Sequence, residues 1–457
     1  MNKVKNFFGP EAMLFGALFF LLGLIFVFVT PPIYTVDEST HWYRSYQVSE
    51  LKLISDNVLV SEAGGEMPAA VTQFVTMNMR EPGEKFTFSD DTEKQLKLET
   101  SDVRDEVEFT NVAIYPPVNY MPQAIGISIA RLFTPKVLIQ FYAAKVTNLI
   151  FLTCMLMMAI KLLPYGKKAG MVLASLPMVM YAGSSLSADA WVIGTIFLFM
   201  AYFMRLMTRE KIYLKQWLII AALAGAVALS KQTYVILTLT LFALPFRGQK
   251  WNKSDLLKVA GAVGFAFICL GVWLLLVRDM NSEPVRLQES AGIYANSAYQ
   301  LDFLLHHPLY FIKLLFLTMN NGGIFNGFLA VFGVADVPLP PPFYFALVLT
   351  IFLGFGILKD SPRKAMRITP SLIIVSVVAL HIIATLAGLY VFWTTPGYPG
   401  ISGVQGRYFI PDLIMLLPVL LSRYRHTISQ RVVVGSAFGI LGVSVIVIIA
   451  RFFGLPT

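Results

Sequence analysis

Asp37 and Glu38 are adjacent carboxylates a few residues beyond the first long apolar run of the chain, and His41 and Arg44 follow closely. Together these types supply a general base, a group to orient it and a ligand for an anion. If Asp37 opens a helix, then Asp37, His41 and Arg44 stand at i, i+4 and i+7 on one face, with Glu38 about 100° around. The plain alternative is a capped interfacial helix with ordinary polar residues. Placement favours chemistry, because two adjacent carboxylates and a histidine at the mouth of an apolar span are costly unless they serve a site.

Other clusters could join them. Tyr115-Pro-Pro-Val-Asn-Tyr120-Met-Pro122 leads into an apolar segment, 123–133, that is too short to span comfortably and is broken from the next by Thr134-Pro135. It reads as a helix lying at the outer surface. Asp189 opens a later span, and Lys145 and Asn148 close the outer end of the second; alone, these read as a cap and a snorkelling lysine. Lys231, between Ser230 and Gln232, joins two short apolar runs, 216–229 and 232–246. Helices that stop inside a bilayer leave a water-filled hollow where such a lysine is tolerated. Gly403-Val-Gln405-Gly406-Arg407-Tyr408 opens a late span. Its arginine could anchor the helix at headgroups or hold a phosphate by paired hydrogen bonds, and its glycines permit close approach.

What positions these residues is lipid. With 56% hydrophobic and 14% charged residues over 457 positions, the chain has more apolar surface than one soluble core can bury. Apolar stretches of about 20 residues, one bilayer crossing each, recur throughout. The first runs from about 12 to 29 and is expected as a retained span. Others fall at 138–162, 169–185, 187–206, 216–229, 232–246, 257–278, 340–358, 368–392, 407–422 and 432–452, making eleven. The net charge of +9 is spread over short clusters between these stretches, which reads as topology charge and not as a nucleic-acid face. Lys3, Lys167, Lys168, Arg205, Arg209, Lys211, Arg247, Lys250, Lys253, Lys359, Arg363, Lys364, Arg423 and Arg425 then share one side. That predicts a cytoplasmic N-terminus and an outward site.

The fold expected is an all-α polytopic membrane domain, 1–457, with a large first extracytoplasmic loop over 31–137 carrying interfacial helices and a second over 279–339. The first loop holds most of the acids, among them Glu81, Glu84, Asp90, Asp91, Glu93, Asp102, Asp105, Glu106 and Glu108. The second contains an amphipathic stretch, 303–316, expected along the interface. Cys154 and Cys269 lie in apolar runs and read as small core residues. No internal repeat is visible, which disfavours transporters built from repeated halves.

In this order the clusters resemble an uncharacterised family of polytopic bacterial membrane proteins. Its marks match here at Pro32, Asp37, Glu38, His41 and Arg44; at Tyr115, Pro117, Tyr120 and Pro122; and at Gly403, Gln405, Gly406, Arg407 and Tyr408. The segment Phe332 to Pro340 also resembles a family element, with Val334 where the family has tryptophan. The family in turn is similar to GT-C superfamily glycosyltransferases. That resemblance implies a bacterial plasma-membrane enzyme with an acidic catalytic residue at the outer end of the first span and a polyprenyl-phosphate-linked sugar donor.

It further implies an inverting transfer to an extracytoplasmic acceptor, a cell-surface glycan. Asp37, or Glu38 in its place, would be the base. Lys231 and Arg407, helped by Arg44, would hold the donor phosphate. His41, Tyr115, Tyr120, Lys145, Asp189, Gln405 and Tyr408 complete the expected substrate-binding set. Some GT-C enzymes use a divalent metal at the corresponding carboxylate, and the sequence offers no further ligand set for one. Two rivals use the same outward-facing basic residues: a transporter or flippase of lipid-linked saccharides, and a glycan polymerase or ligase.

Overall fold

The computed structural model describes residues 8–59, 62–80, 90–247, 253–280, 297–320, 322–356, 366–421 and 427–453. Lys3, Lys250, Lys359, Arg363, Lys364, Arg423, Arg425, Glu81 and Glu84, named above, lie outside them, as do the side chains of Asp90 and Asp91.

Helix α1 (Pro10–Val29) starts at a proline and ends at Thr30, where extended backbone leads into Pro31-Pro32. Leu14, Leu18, Leu21, Ile25 and Phe28 form its exposed stripe, while Phe15, Phe19 and Phe26 are buried in the bundle. Outward-facing leucine and phenylalanine are normal where the solvent is lipid. α2 (Glu38–Ser49) follows, then β1 (Asp56–Leu59), β2 (Glu62–Pro68), α3 (Ala69–Asn78), α4 (Asp90–Leu96) and β3 (Arg104–Glu108).

The three strands make an antiparallel sheet with β2 in the middle, Gly64 facing Asp56 on one side and Glu108 on the other. This corrects the all-α expectation. β3 reads Arg-Asp-Glu-Val-Glu, so a charged edge strand carries almost no apolar alternation to reveal it.

α5 (Thr110–Ala113) and a 3-10 turn (Pro117–Tyr120) lead into α6 (Met121–Arg131). Met121, Ile125, Ile129, Leu132 and Phe133 are exposed along one side of α6 and its end, and Ala124, Ile127 and Ala130 are buried on the other. A side chain at Gly126 would meet the Ala143 carbonyl at 2.5 Å, so the glycine is what lets α6 lie against α7 (Val137–Leu162).

The chain continues through α8 (Lys167–Ala174), α9 (Pro177–Gly183), α10 (Asp189–Met207), α11 (Leu214–Ala228), a 3-10 helix (Gln232–Phe246) and α12 (Lys253–Leu276). α13 (Ser297–His306), α14 (Pro308–Met319), α15 (Gly322–Leu329) and a two-stranded hairpin, β4 (Val331–Phe332) with β5 (Val337–Pro338), form the second large excursion. Then come α16 (Pro341–Phe355), α17 (Ile368–Trp393), a 3-10 turn (Gly406–Phe409), α18 (Ile410–Leu420) and α19 (Gln430–Phe453).

Among the described residues, α1, α7, α10, α12, α17 and α19 are the six helices long and apolar enough to cross a membrane. α13 and α14, bent by 107°, pass the same test together. The bend falls inside the stretch expected to lie flat, at His307-Pro308, where proline cannot continue the preceding helix. The span expected over 169–185 is two short helices, because Pro177 removes a backbone donor and α8 stops at Ala174. The 3-10 helix has 15 residues, but at about 2 Å per residue it reaches roughly 30 Å. Cys154 is exposed on the outside of α7 and Cys269 is half-exposed, so neither is a core residue.

Candidate functional site

The loop between α1 and α2 is strained at two points. Ile33 and Asp37 both have left-handed backbone, with φ of 58° and 63°. For a β-branched residue this is rare, and an aspartate tolerates it better. Asp37 occupies the capping position of α2 yet makes no side-chain cap bond. Its carboxylate is turned away from its own helix, at 3.6 Å from the Arg407 guanidinium, and keeps 37% exposure.

Arg407 also places its Nε 2.9 Å from Asp189 Oδ2, and Lys231 Nζ lies 2.6 Å from Asp189 Oδ1. Lys231, Asp189, Arg407 and Asp37 therefore form one chain of alternating charge. All but Asp37 are 7 to 14% exposed. The Lys231 ammonium lies 4.9 Å over the Tyr408 ring and 5.5 Å over that of Tyr115, contacts that favour a cation in a desolvated place.

Backbone geometry delivers each member. Asn119 donates to the carbonyls of Leu229 and Ser230, tying the 3-10 turn before α6 to the corner that presents Lys231. Tyr234, one turn later, donates to the Tyr408 carbonyl at 3.0 Å. Any side chain at Gly406 would strike the Ile324 carbonyl and the Phe328 amide, both at 2.1 Å. The glycine beside Arg407 thus admits another backbone, that of α15. Asp189 opens α10, whose positive end suits a carboxylate.

His41 faces the same cluster. Its Nδ1 is 2.9 Å from the Tyr120 hydroxyl. Burial pushes its imidazole down to about 4; nearby Asp37 and Asp189 oppose this shift, and Lys231 and Arg407 add to it. The Tyr120 hydroxyl is itself driven well up, chiefly by burial. Gln405 lies next to the cluster in sequence and offers its carbonyl to the Tyr408 amide.

Three expected residues lie elsewhere. Glu38 is 1% exposed, 3.7 Å from Lys145 Nζ, and accepts the Leu186 amide. Lys145 is fully buried with it, so Glu38 and Lys145 form an interior tie between α2 and α7. Arg44 is also fully buried. Its guanidinium is used by Gln47 and by the carbonyls of Lys52, Leu53 and Tyr115, and burial lowers it to about 10. The shared helical face of Asp37, His41 and Arg44 is therefore not a shared site. Asp37 sits outside the helix, and Arg44 folds the loop behind it.

Two groupings were not anticipated. Asp336 accepts from the Tyr34 hydroxyl at 2.8 Å and pairs with Arg451 at 3.4 Å, bringing the β4–β5 hairpin and the end of α19 to the loop that carries Asp37. His381 and Asp412 form a buried pair at 2.8 Å between α17 and α18, with Tyr234 stacked on the imidazole. Only the fragment Phe332 to Pro340 hinted at the first. A lone histidine and a lone aspartate in apolar runs could have signalled the second, since ionisable residues in spans need partners.

A divalent ion does not fit this donor set. Arg407 already sits between the Asp37 and Asp189 carboxylates, and among the described residues no group of three or more His, Cys, Asp or Glu converges to hold a metal.

A family model described as "Predicted membrane protein (DUF2142)" matches residues 20–417. No curated protein and no solved structure matches the chain.

Proposed function

The chain belongs to this family of membrane proteins, and from the geometry of its site we propose an inverting GT-C-type glycosyltransferase using a polyprenyl-phosphate sugar. The acceptor is a glycan outside the cytoplasm, and the membrane is the bacterial plasma membrane. One observation carries this: a part-exposed carboxylate, Asp37, stands 3.6 Å from Arg407, and through Asp189 Arg407 is joined to Lys231. A base and two cations at one mouth of a helix bundle match the needs of glycosyl transfer from a phosphate.

A glycosyl phosphate is already activated. The acceptor oxygen bonds to the anomeric carbon as the carbon–oxygen bond to phosphate breaks. The acceptor's proton passes to Asp37, and the electron pair leaves on the polyprenyl phosphate, whose charge Arg407 and Lys231 offset. Attack opposite the leaving group inverts the anomeric centre. Tyr115 and Tyr408 shape the pocket around Lys231. Glu38, Lys145 and Arg44 hold the scaffold.

Two features support an odd number of crossings and an outward site. α1 leads to the site and α19 ends beside it at Arg451, as an odd number of crossings requires. Among the described residues, Lys168 pairs with Glu11 at the far end of α1, and Arg205 lies in the last turn of α10, which begins at the site.

The test is incubation of the purified protein with polyprenyl-phosphate sugars and a glycan acceptor, with the product read by mass spectrometry. Consumption of donor with an inverted linkage is expected. Movement of the lipid-linked sugar across vesicles with no covalent product would make the protein a flippase and overturn the assignment.

A further inference from the structure

We propose that the Asp189 carboxylate is an internal stand-in for the donor's phosphate, occupying the place between Lys231 and Arg407 at rest and yielding it to a phosphate anion. This rests on Lys231 and Arg407 being the phosphate ligands. Each Asp189 oxygen faces one cation: Oδ1 accepts a hydrogen bond from Lys231 at 2.6 Å, and Oδ2 lies 2.9 Å from Arg407 Nε as an ion pair without hydrogen-bond alignment. Two oxygens of a phosphate would divide themselves in the same way between an ammonium and a guanidinium.

Charge balance points in the same direction. Lys231 and Arg407 face Asp189 and Asp37, so the cluster is neutral as it stands, and a phosphate entering it would meet no net attraction. One carboxylate must give way. Asp37 is the base, is the more exposed and is the more distant from Arg407, so moving it gains little. Asp189 blocks both cations.

One oxygen of the displaced carboxylate has somewhere to go. A void of about 10 Å³, room for roughly one water, adjoins Asp189 and Arg407 and is lined by Thr35, Ser185 and Ser187. Thr35 is 5% exposed, and its hydroxyl has no hydrogen-bond partner. A buried hydroxyl left unsatisfied is destabilising, and a carboxylate oxygen turned into the void would satisfy it. The positive end of α10 remains beside the carboxylate throughout. At rest Asp189 makes two nearly buried cations tolerable; after displacement it leaves a site with net positive charge for the phosphate.

The experiment follows binding of a polyprenyl phosphate and of inorganic phosphate to the full chain in detergent, by thermal shift and by affinity. Asp189→Asn should melt lower than the parent when ligand-free, bind polyprenyl phosphate about tenfold more tightly, and recover stability as it binds. Asp189→Asn/Lys231→Gln restores the charge count and should lose that gain. Thr35→Val, which leaves the resting ion pairs intact, should weaken binding several-fold. Rescue by inorganic phosphate as well would assign the site to the phosphate group alone; rescue by the lipid only would add the chain to what is recognised. Equal affinity in the parent, Asp189→Asn and Thr35→Val, with Arg407→Ala still weakening the parent, would overturn the stand-in and leave the phosphate site standing. No binding by any of them would overturn the transferase assignment itself.

Discussion

Asp37 and Glu38 are neighbours in sequence and opposites in structure. The Asp37 backbone is left-handed, its side chain 37% exposed, and its partner, Arg407, comes from the far end of the chain. Glu38 begins a regular helix, is buried, and faces Lys145 in an interior that also supplies the Leu186 amide. The first ion pair borders solvent, whereas separating the second would leave two fully buried charges without compensation. Adjacent carboxylates thus divide into one open to solvent and one fixed in the scaffold.

The sharpest way to break that contrast is Asp37→Asn, which keeps size and most hydrogen bonding but removes the base. Transfer should fall by about 100- to 10,000-fold while donor binding and melting temperature stay near those of the parent. Turnover measured at saturating donor decides it, and a parental rate would remove Asp37 from the chemistry. Glu38→Gln should do the reverse. A half-broken buried pair costs about 3–5 kcal/mol, so this variant should lose thermal stability and yield, yet keep its rate per folded molecule. Glu38→Gln/Lys145→Met, with both charges gone, should regain much of the loss. A folded Glu38→Gln with collapsed turnover would move the base by one residue.

Next comes Arg407→Lys, which keeps charge and loses the planar fork that reaches both Asp37 and Asp189. Donor affinity should drop about tenfold or more, seen as a raised KM with a smaller change in kcat. Unchanged affinity would show that charge alone suffices there.

The last contrast concerns His41, which acts on stability and leaves affinity and rate aside. Its imidazole titrates near 4 in the fold against 6.5 when free. The unfolded chain therefore binds the extra proton first, and stability from this group is present above 6.5 and falls as pH drops toward 4, by up to about 3 kcal/mol. His41→Gln should flatten that slope in thermal melts between pH 6.5 and 4. A slope of the same size in the variant would assign it to other groups.

The membrane as solvent, the apolar segments and the residue types of the site were legible in the amino-acid sequence because lipid imposes a length and a polarity that composition must obey. Gly406 beside Arg407 was legible as a point of close approach, though not what approaches. Contacts across long separations were not legible. Asp189 alone read as a cap; only folding brings Lys231 and Arg407 to its two oxygens. Helical periodicity placed Arg44 with Asp37 and His41, but a left-handed residue at 37 breaks that periodicity, and tertiary carbonyls at 52, 53 and 115 take up the guanidinium. The charged β3 strand stayed hidden because its pairing with β2 lies in the backbone, which side-chain patterns do not report. Sequence determines which groups must avoid lipid. Which of them meet is decided by packing, because each buried charge takes the partner that the fold brings within reach.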